Sequence, residues 1–390
     1  MAQSILREYI DSITNGILQH SDEWHAAKKY TIGGSQMATI QGANHFSDIE
    51  DLIGSKLGYN HKTSIHMNWG NLFEDIIKCY CEYLFRTEIL GDNMFIQPED
   101  SLISYSPDGL GVVGDKIVLF EFKCPFTRIP TSTPPKYYIP QVKTGLEIIP
   151  IAHYGVLIEA VFRRCQWSQM GLNDNYDTKI VDKKIGTDVL ACGFVGFYCD
   201  LTELEEAEMR ALAVKDARMT EKLAAWAAKL SALNDLYSAE YNIGNSQNNY
   251  STNDLGVSSE KLFEALLDGF NNGFIKVWYS KLIIDTSDSA MKNRLNVEFA
   301  TYECLMTAIG NAADIDSGFK SHAVLNYGIL PWKLFHIRQH TIDKTPGYLE
   351  PWKEKINEVI NIVKTCDKMS PETRKKYYES VINASKYQIV

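Results

Sequence analysis

No apolar run in this chain of 390 residues approaches the roughly 20 consecutive positions that a bilayer-spanning helix needs. The opening residues, Met1 to Glu8, have none of the basic, apolar and small-residue zones of a secretory leader. These absences lead us to expect a soluble intracellular protein with no membrane partner. Cysteine is sparse: the eight, at positions 79, 81, 124, 165, 192, 199, 304 and 366, form no Cys-x-x-Cys pair and no Cys/His spacing of a zinc site. That pattern leaves no framework for a structural zinc or an iron–sulfur cluster, and reduced thiols in the core are expected. Positive charge is short as well, with 39 Lys and Arg against 49 Asp and Glu and a net charge of -10. Diffuse attraction to a polyanion is therefore weak, so a nucleic-acid partner would require basic residues gathered in one groove, with metal ions supplying part of the attraction. What is present in quantity is core material, 45% hydrophobic against 23% charged, in a length that suits two domains or one domain with a large insertion.

The densest chemical pattern is Ser106-Pro107-Asp108-Gly109-Leu110, followed within a hairpin's reach by Glu121-Phe122-Lys123. Successive side chains of a strand point to opposite faces, so Glu121 and Lys123 share one face while Phe122 turns away into a core. Asp108 can join them. An Asp and a Glu brought together form an all-oxygen site for a hard divalent cation, and a neighbouring ammonium can orient an attacking water. Such a trio is the minimal equipment for cutting a phosphodiester. A Pro-Asp-Gly segment is also an ordinary turn former, and Glu-x-Lys an ordinary solvated strand face. The distinguishing feature is the run from Ile117 to Phe120 that leads into Glu121, too apolar for a strand left in water. Charges on such a strand require a partner or a metal.

Along the chain, residues 4–20 read as a helix, and a second segment beginning at Glu23 stops at Gly33 and Gly34. Ser35 is placed to cap a helix over 36–41, which would leave free backbone N–H groups at that loop. Ser47 to Glu50 fits a capping box, and Phe73, Ile76, Ile77, Tyr80 and Leu84 form an apolar stripe on a helix over 69–86 with Glu74 at its border. Strands are expected at 94–97, 102–105, 111–113, 117–123 and 154–162, with a helix over 140–149. Further on, we expect a loop at 171–187, a strand at 189–198, a long helix from 202 to 236 and a loop at 241–256. Helical segments to about 325, a strand at 332–337 and a helix over 348–365 complete the prediction. The fold class is thus α/β or α+β, a sheet covered by helices.

An ordered series of blocks resembles the lambda-exonuclease-like, or YqaJ-type, branch of the PD-(D/E)XK nucleases. The blocks are Glu23-Trp24-His25 with Ile32 and Ser35, then Asn68 to Glu74, Ser106 to Leu110, Glu121 to Thr127, and Tyr138 with Gln141-Val142. The resemblance implies a restriction-endonuclease-like core, a mixed central sheet flanked by helices. It further implies that Asp108 and Glu121 bind Mg²⁺ or Mn²⁺ with the backbone carbonyl of Phe122, that Glu74 reaches the metal directly or through water, and that Lys123 polarises the attacking water. Gln141 and Tyr138 would orient Lys123 and the scissile phosphate. Lys28 stands where the family usually has an arginine for the DNA 5′-phosphate, keeping the charge and losing the bidentate fork, with Ser35 beside it. Residues 1–164 and 326–390 would form the nuclease core around a largely helical insertion at 165–325, as in versions from large DNA viruses.

The activity so implied is hydrolysis of linear double-stranded DNA from 5′ ends, leaving 3′ single strands for recombination or replication. The implied partners are duplex DNA ends, a single-strand annealing protein and further copies of the chain in a trimer. A viral origin would place the protein in the host cytoplasm or nucleus. Two other readings share these residues: an endonuclease resembling the alkaline nucleases of large DNA viruses, acting on DNA and on RNA, and a DNA-binding protein without catalysis.

Overall fold

The computed structural model of the protein describes residues 1–13, 17, 22–59, 64–92, 94–99, 101–165, 190–244, 260–280, 282, 284 and 324–382. Its front end is helical. α1 (Ala2–Ile13) buries Leu6, and α2 (Asp22–Lys29) leads into β1 (Ile32–Gly33). A 3₁₀ turn over Gly34–Gln36 precedes the short α3 (Met37–Ile40). Ser35 therefore lies inside a tight turn whose N-cap is Gly33, not at a helix N-cap, because the glycine pair starts the turn earlier than the hydroxyl signal suggests. α4 (Ile49–Lys56) opens on a capping box made by Asp48 and Asp51, one position beyond the Ser47/Glu50 pair expected from sequence. Both pairs have suitable spacing, and the carboxylate of Asp48 supplies the stronger acceptor.

α5 (Ile65–Phe85) begins where the Ser64 side chain accepts the Met67 N–H, and it ends at Arg86 in the left-handed conformation. Its stripe of Trp69, Leu72, Phe73, Ile76, Ile77 and Tyr80 is buried. β2 (Ile103–Ser104) pairs in parallel with β1, and β3 (Gly109–Val113) forms a hairpin with β4 (Lys116–Lys123). The strand expected at 94–97 is reduced to a bridge between Ile96 and Tyr105. α6 (Ile139–Ile148) carries Pro140 in its first turn, where the missing N–H has no helical partner to lose. β5 (Tyr154–Arg164) follows.

The middle of the chain adds β6 (Ala191–Asp200), α7 (Leu201–Ala213), α8 (Ala217–Gly244), α9 (Glu260–Asn272) and β7 (Lys276–Tyr279). The single helix expected over 202–236 is two, broken at Val214–Asp216 where Lys215 takes φ 55° and Asp216 caps the second by accepting the Met219 N–H. β7 lies in a region expected to be helical. The loop expected at 171–187 and most of that at 241–256 fall outside the described residues. The strand expected at 332–337 is the centre of β8 (Val324–Asp343), 20 residues long. α10 (Lys353–Asp367) and α11 (Pro371–Tyr377) close the chain.

The main sheet has the order β3-β4-β5-β8-β6-β7. Only β4 and β5 run in parallel within it; the remaining neighbours are antiparallel. Alternation along β4 and β5 divides the interior into two cores. Val118, Phe120 and Phe122 with Val156, Ile158, Ala160 and Phe162 meet α5 and α9 on one side. Ile117, Leu119 and Leu157 meet the buried residues of α1, α4, α6 and α10 on the other. The protein is thus a mixed α+β fold in three layers. Phe73 stacks on Phe162 with centroids 4.4 Å apart, and Trp69 and Trp332 pack beside Phe73. This aromatic cluster fixes α5 against the sheet, and with it the height of Glu74.

Candidate functional site

The hairpin of β3 and β4 brings the central motif together. Asp108 sits just before β3, and its Oδ2 accepts the Phe122 N–H at 2.6 Å. Glu121 is fully buried, at 0% exposure, so each carboxylate oxygen requires a partner. Oε1 is paired with the Lys123 ammonium, and Oε2 accepts the Tyr105 hydroxyl at 2.9 Å. Phe122 points the other way into the α5 core, as alternation requires.

Glu74, from α5, is close enough to feel both Lys123 and Glu121. Burial, followed by the charges of Glu121, Asp75 and Asp92, pushes its carboxyl up to about 7 despite the attraction of Lys123. Burial, then Glu121 and Glu74, likewise push the Asp108 carboxyl well above the usual range. For Lys123 burial opposes the charged form, but Glu121 and Asp108 outweigh it and raise the ammonium's pKa. The Glu74, Asp108 and Glu121 carboxyls therefore share one neighbourhood with one ammonium, a cluster short of positive charge.

Among the described residues, no group of three or more His, Cys, Asp or Glu side chains is already gathered so as to hold a metal ion. The chemistry of the donor set nevertheless fits a hard divalent cation. Asp108 and Glu121 are all-oxygen donors on adjacent elements, and a cation between them would relieve the repulsion that raises their neighbours. The carboxylates of Asp108 and Glu121 could hold it, and the charge of Glu74 reaches both.

Tyr138 precedes α6, and its ring centroid lies 5.5 Å from the Lys123 Nζ, which places it beside the trio. The Gln141 carbonyl oxygen would lie 3.6 Å from a Cβ built on Gly34, so the start of α6 adjoins the Gly33–Ser35 turn. The Lys28 Nζ rests 3.8 Å over the Trp24 ring, and its Cε would lie 3.7 Å from a Cβ on Gly33. Lys28 thus borders the Gly33–Ser35 turn, on which Ser35 is exposed. Trp24 ties α2 to the central motif by donating from Nε1 to Ser106 Oγ at 3.2 Å.

Sequence reasoning missed Tyr105, which is buried and enclosed by two glycines. A Cβ on Gly34 or on Gly145 would come within 2.5 Å of its ring, so both must lack a side chain for the ring to reach Glu121. The only local signal is a tyrosine immediately before Ser106, at the end of an expected strand. Also missed was a pair beside Lys123: Arg128 is bonded to the buried Glu159, whose second oxygen is 3.1 Å from His340 Nε2. Glu159 is the register partner of Lys123 across β4 and β5, a relation no linear spacing reveals.

Residues 23–149, which hold nearly all of these groups, match the YqaJ-like viral recombinase domain. It is also similar to a protein of African swine fever virus. Over 192 residues the identity is 32% for the form in a Malawi tick isolate and 30% for that in the Badajoz strain, covering 42% of this chain and 55% of each relative. The match thus spans about half the length of those relatives. Among solved structures, an alkaline exonuclease from Laribacter hongkongensis aligns over 36% of this chain and 74% of its own, with 23% identity and a TM-score of 0.29. No described helix is long and apolar enough to cross a membrane.

Proposed function

We propose that the protein is a divalent-metal-dependent deoxyribonuclease that hydrolyses linear duplex DNA from its 5′ ends and leaves 3′ single strands. The observation that carries the reading is the buried Glu121, paired with Lys123 and adjoining Asp108 at the end of an apolar strand. The YqaJ-like domain over the same residues supports it.

Mg²⁺ or Mn²⁺, when bound, would supply Lewis acidity at the phosphoryl oxygen and charge neutralisation at the 3′-oxygen leaving group. The chain's own residues do the remaining work. Lys123, held by Glu121, has an ammonium able to orient a water toward phosphorus, and Tyr138 limits its swing. Tyr105 fixes the Glu121 carboxylate from beneath. Lys28 and the turn at Gly34 and Ser35, beside a Gly33 N–H already taken by Gln36 Oε1, suit a terminal 5′-phosphate, a dianion that gains from both charge and backbone donors. A 3′ single-stranded product is the substrate a strand-annealing protein would take up, and assembly as a trimer would keep DNA enclosed between turnovers. We place the segment 165–325 in this scheme as an elaboration of the nuclease core, since its described strands β6 and β7 continue the same sheet.

The test uses the full chain with Mg²⁺ on linear duplex, nicked circles and covalently closed circles. Linear duplex with 5′-phosphate ends should be degraded faster than the same duplex with 5′-hydroxyl ends, and closed circles should survive. Lys28→Ala should remove most of the end preference, roughly a 10- to 150-fold effect for one charge-assisted contact. Rapid cleavage of closed circles without end preference would establish an endonuclease instead.

A further inference from the structure

A chain of aromatic rings leads outward from the candidate site to the surface. Tyr138, beside Lys123, touches Tyr137 at a centroid separation of 4.5 Å. Tyr137 meets His45 at 5.3 Å and Phe46 at 5.5 Å, and His45 packs on Phe46 at 3.9 Å. The last ring is 72% exposed. Isolated exposed apolar residues are ordinary on any protein surface, but these rings are contiguous and end at the reactive groups.

The loop that presents Phe46 is held in place. The Asn44 side chain donates to Thr39 Oγ1 at 3.0 Å and accepts the Phe46 N–H at 3.0 Å. Ala43 and Asn44 both donate backbone N–H groups to the Ala38 carbonyl. Beside the rings lies a depression of about 250 Å³ lined by Asn44, His45, Phe46, Ser47, Asp48 and Asp51. The charged side chains in its lining are the carboxylates of Asp48 and Asp51, which repel phosphate, whereas the Arg128 guanidinium lies 5.8 Å from the Tyr138 ring at the inner end of the chain of rings. At its outer end, where Phe46 is exposed, the surface therefore offers aromatic rings next to negative charge, which matches the bases of a nucleic acid and not its backbone.

We infer that Phe46, His45 and Tyr137 form a stacking platform for unpaired bases of the DNA strand that reaches the Lys123 cleft. The inference rests on the nuclease reading and adds to it the recognition of unpaired bases next to the cut. Stacking of this kind tolerates any sequence, because every base has a π-face, and it favours ends that are frayed or already single-stranded.

The test measures binding, with cleavage suppressed by Asp108→Ala in the full chain. Two duplexes carry equal single-stranded extensions, one of thymidines and one of abasic sugars with the same phosphates. Fluorescence anisotropy should show the base-bearing extension bound at least about fivefold more tightly, the lower end of what one stacked base contributes. Phe46→Ala and Tyr137→Ala should each bring that ratio towards one, and Phe46→Trp should preserve it. Equal binding of both extensions by the Asp108→Ala protein, or an unchanged ratio in Phe46→Ala, would overturn the platform. Failure of the unaltered chain to cut any linear duplex would instead overturn the nuclease reading on which it rests.

Discussion

Tyr105 shows how much a single buried hydroxyl can decide. Its donation to Glu121 fills the carboxylate oxygen that Lys123 leaves over, and burial together with the charges of Glu121 and Asp108 holds the phenol well above its usual pKa, so it stays a donor. Tyr105→Phe keeps the ring in the slot between Gly34 and Gly145 and removes only the hydrogen bond. A hydrogen bond to a charged group contributes about 1.5–3 kcal/mol, and its loss leaves a buried carboxylate oxygen unpaired, so turnover should fall roughly 10- to 150-fold and the thermal midpoint should drop by a few degrees. Steady-state cleavage of linear duplex checks this, and unchanged turnover would remove Tyr105 from the site. That Asp108, Glu121 and Lys123 come together was legible because strand alternation and apolar flanks mark them locally. Tyr105 was not, since its role depends on a slot between Gly34 and Gly145, both distant from it in the chain.

At the scale of elements, the end of α2 is closed by Lys56 of α4. Its Nζ donates to the Lys28 carbonyl at 3.0 Å and to the Thr31 carbonyl at 2.5 Å, in a nearly buried position. Burial, then the charge of Lys28, lowers the Lys56 pKa to about 7 from 10.5. The unfolded chain therefore binds more protons than the folded one between those values, and folding becomes more favourable as pH rises through that window. The cost of the buried charge is fully present below pH 7. In denaturant titrations from pH 6 to 9 the unaltered protein should gain stability relative to Lys56→Met, and parallel curves would contradict the assignment. The boundaries of these elements were the least legible part of the front end. Ser35 and Ser47 both signal caps, yet Gly33 and Asp48 hold the N-cap positions, since neighbouring residues compete for the same few free N–H groups.

For the whole molecule, β8 is the element that joins what is separate in sequence. It pairs with β5 through its later residues and with β6 through its earlier ones, so strands far apart in the chain share one sheet. The match over 23–149 was readable because its motifs occur in order and each is local. The pairing of β6, β7 and β8 was not, because a strand's partner depends on long-range register that no local pattern encodes. Helix α9 packs on α5, and the Tyr279 hydroxyl of β7 donates to the Leu72 carbonyl at 2.7 Å. The middle of the chain therefore buttresses the helix that carries Glu74.

On the reading proposed above, Asp108, Glu121 and Lys123 form a metal-dependent hydrolytic centre. Its most direct test is single-turnover cleavage of an end-labelled linear duplex, with and without Mg²⁺, by the unaltered chain and by Asp108→Ala, Glu121→Ala and Lys123→Ala, each checked for folding by circular dichroism. Cleavage should stop when Mg²⁺ is chelated and fall at least about a hundredfold in each folded variant, the size expected for loss of a key electrostatic group. Near-normal cleavage by folded Asp108→Ala, or by the unaltered chain without a divalent cation, would contradict it.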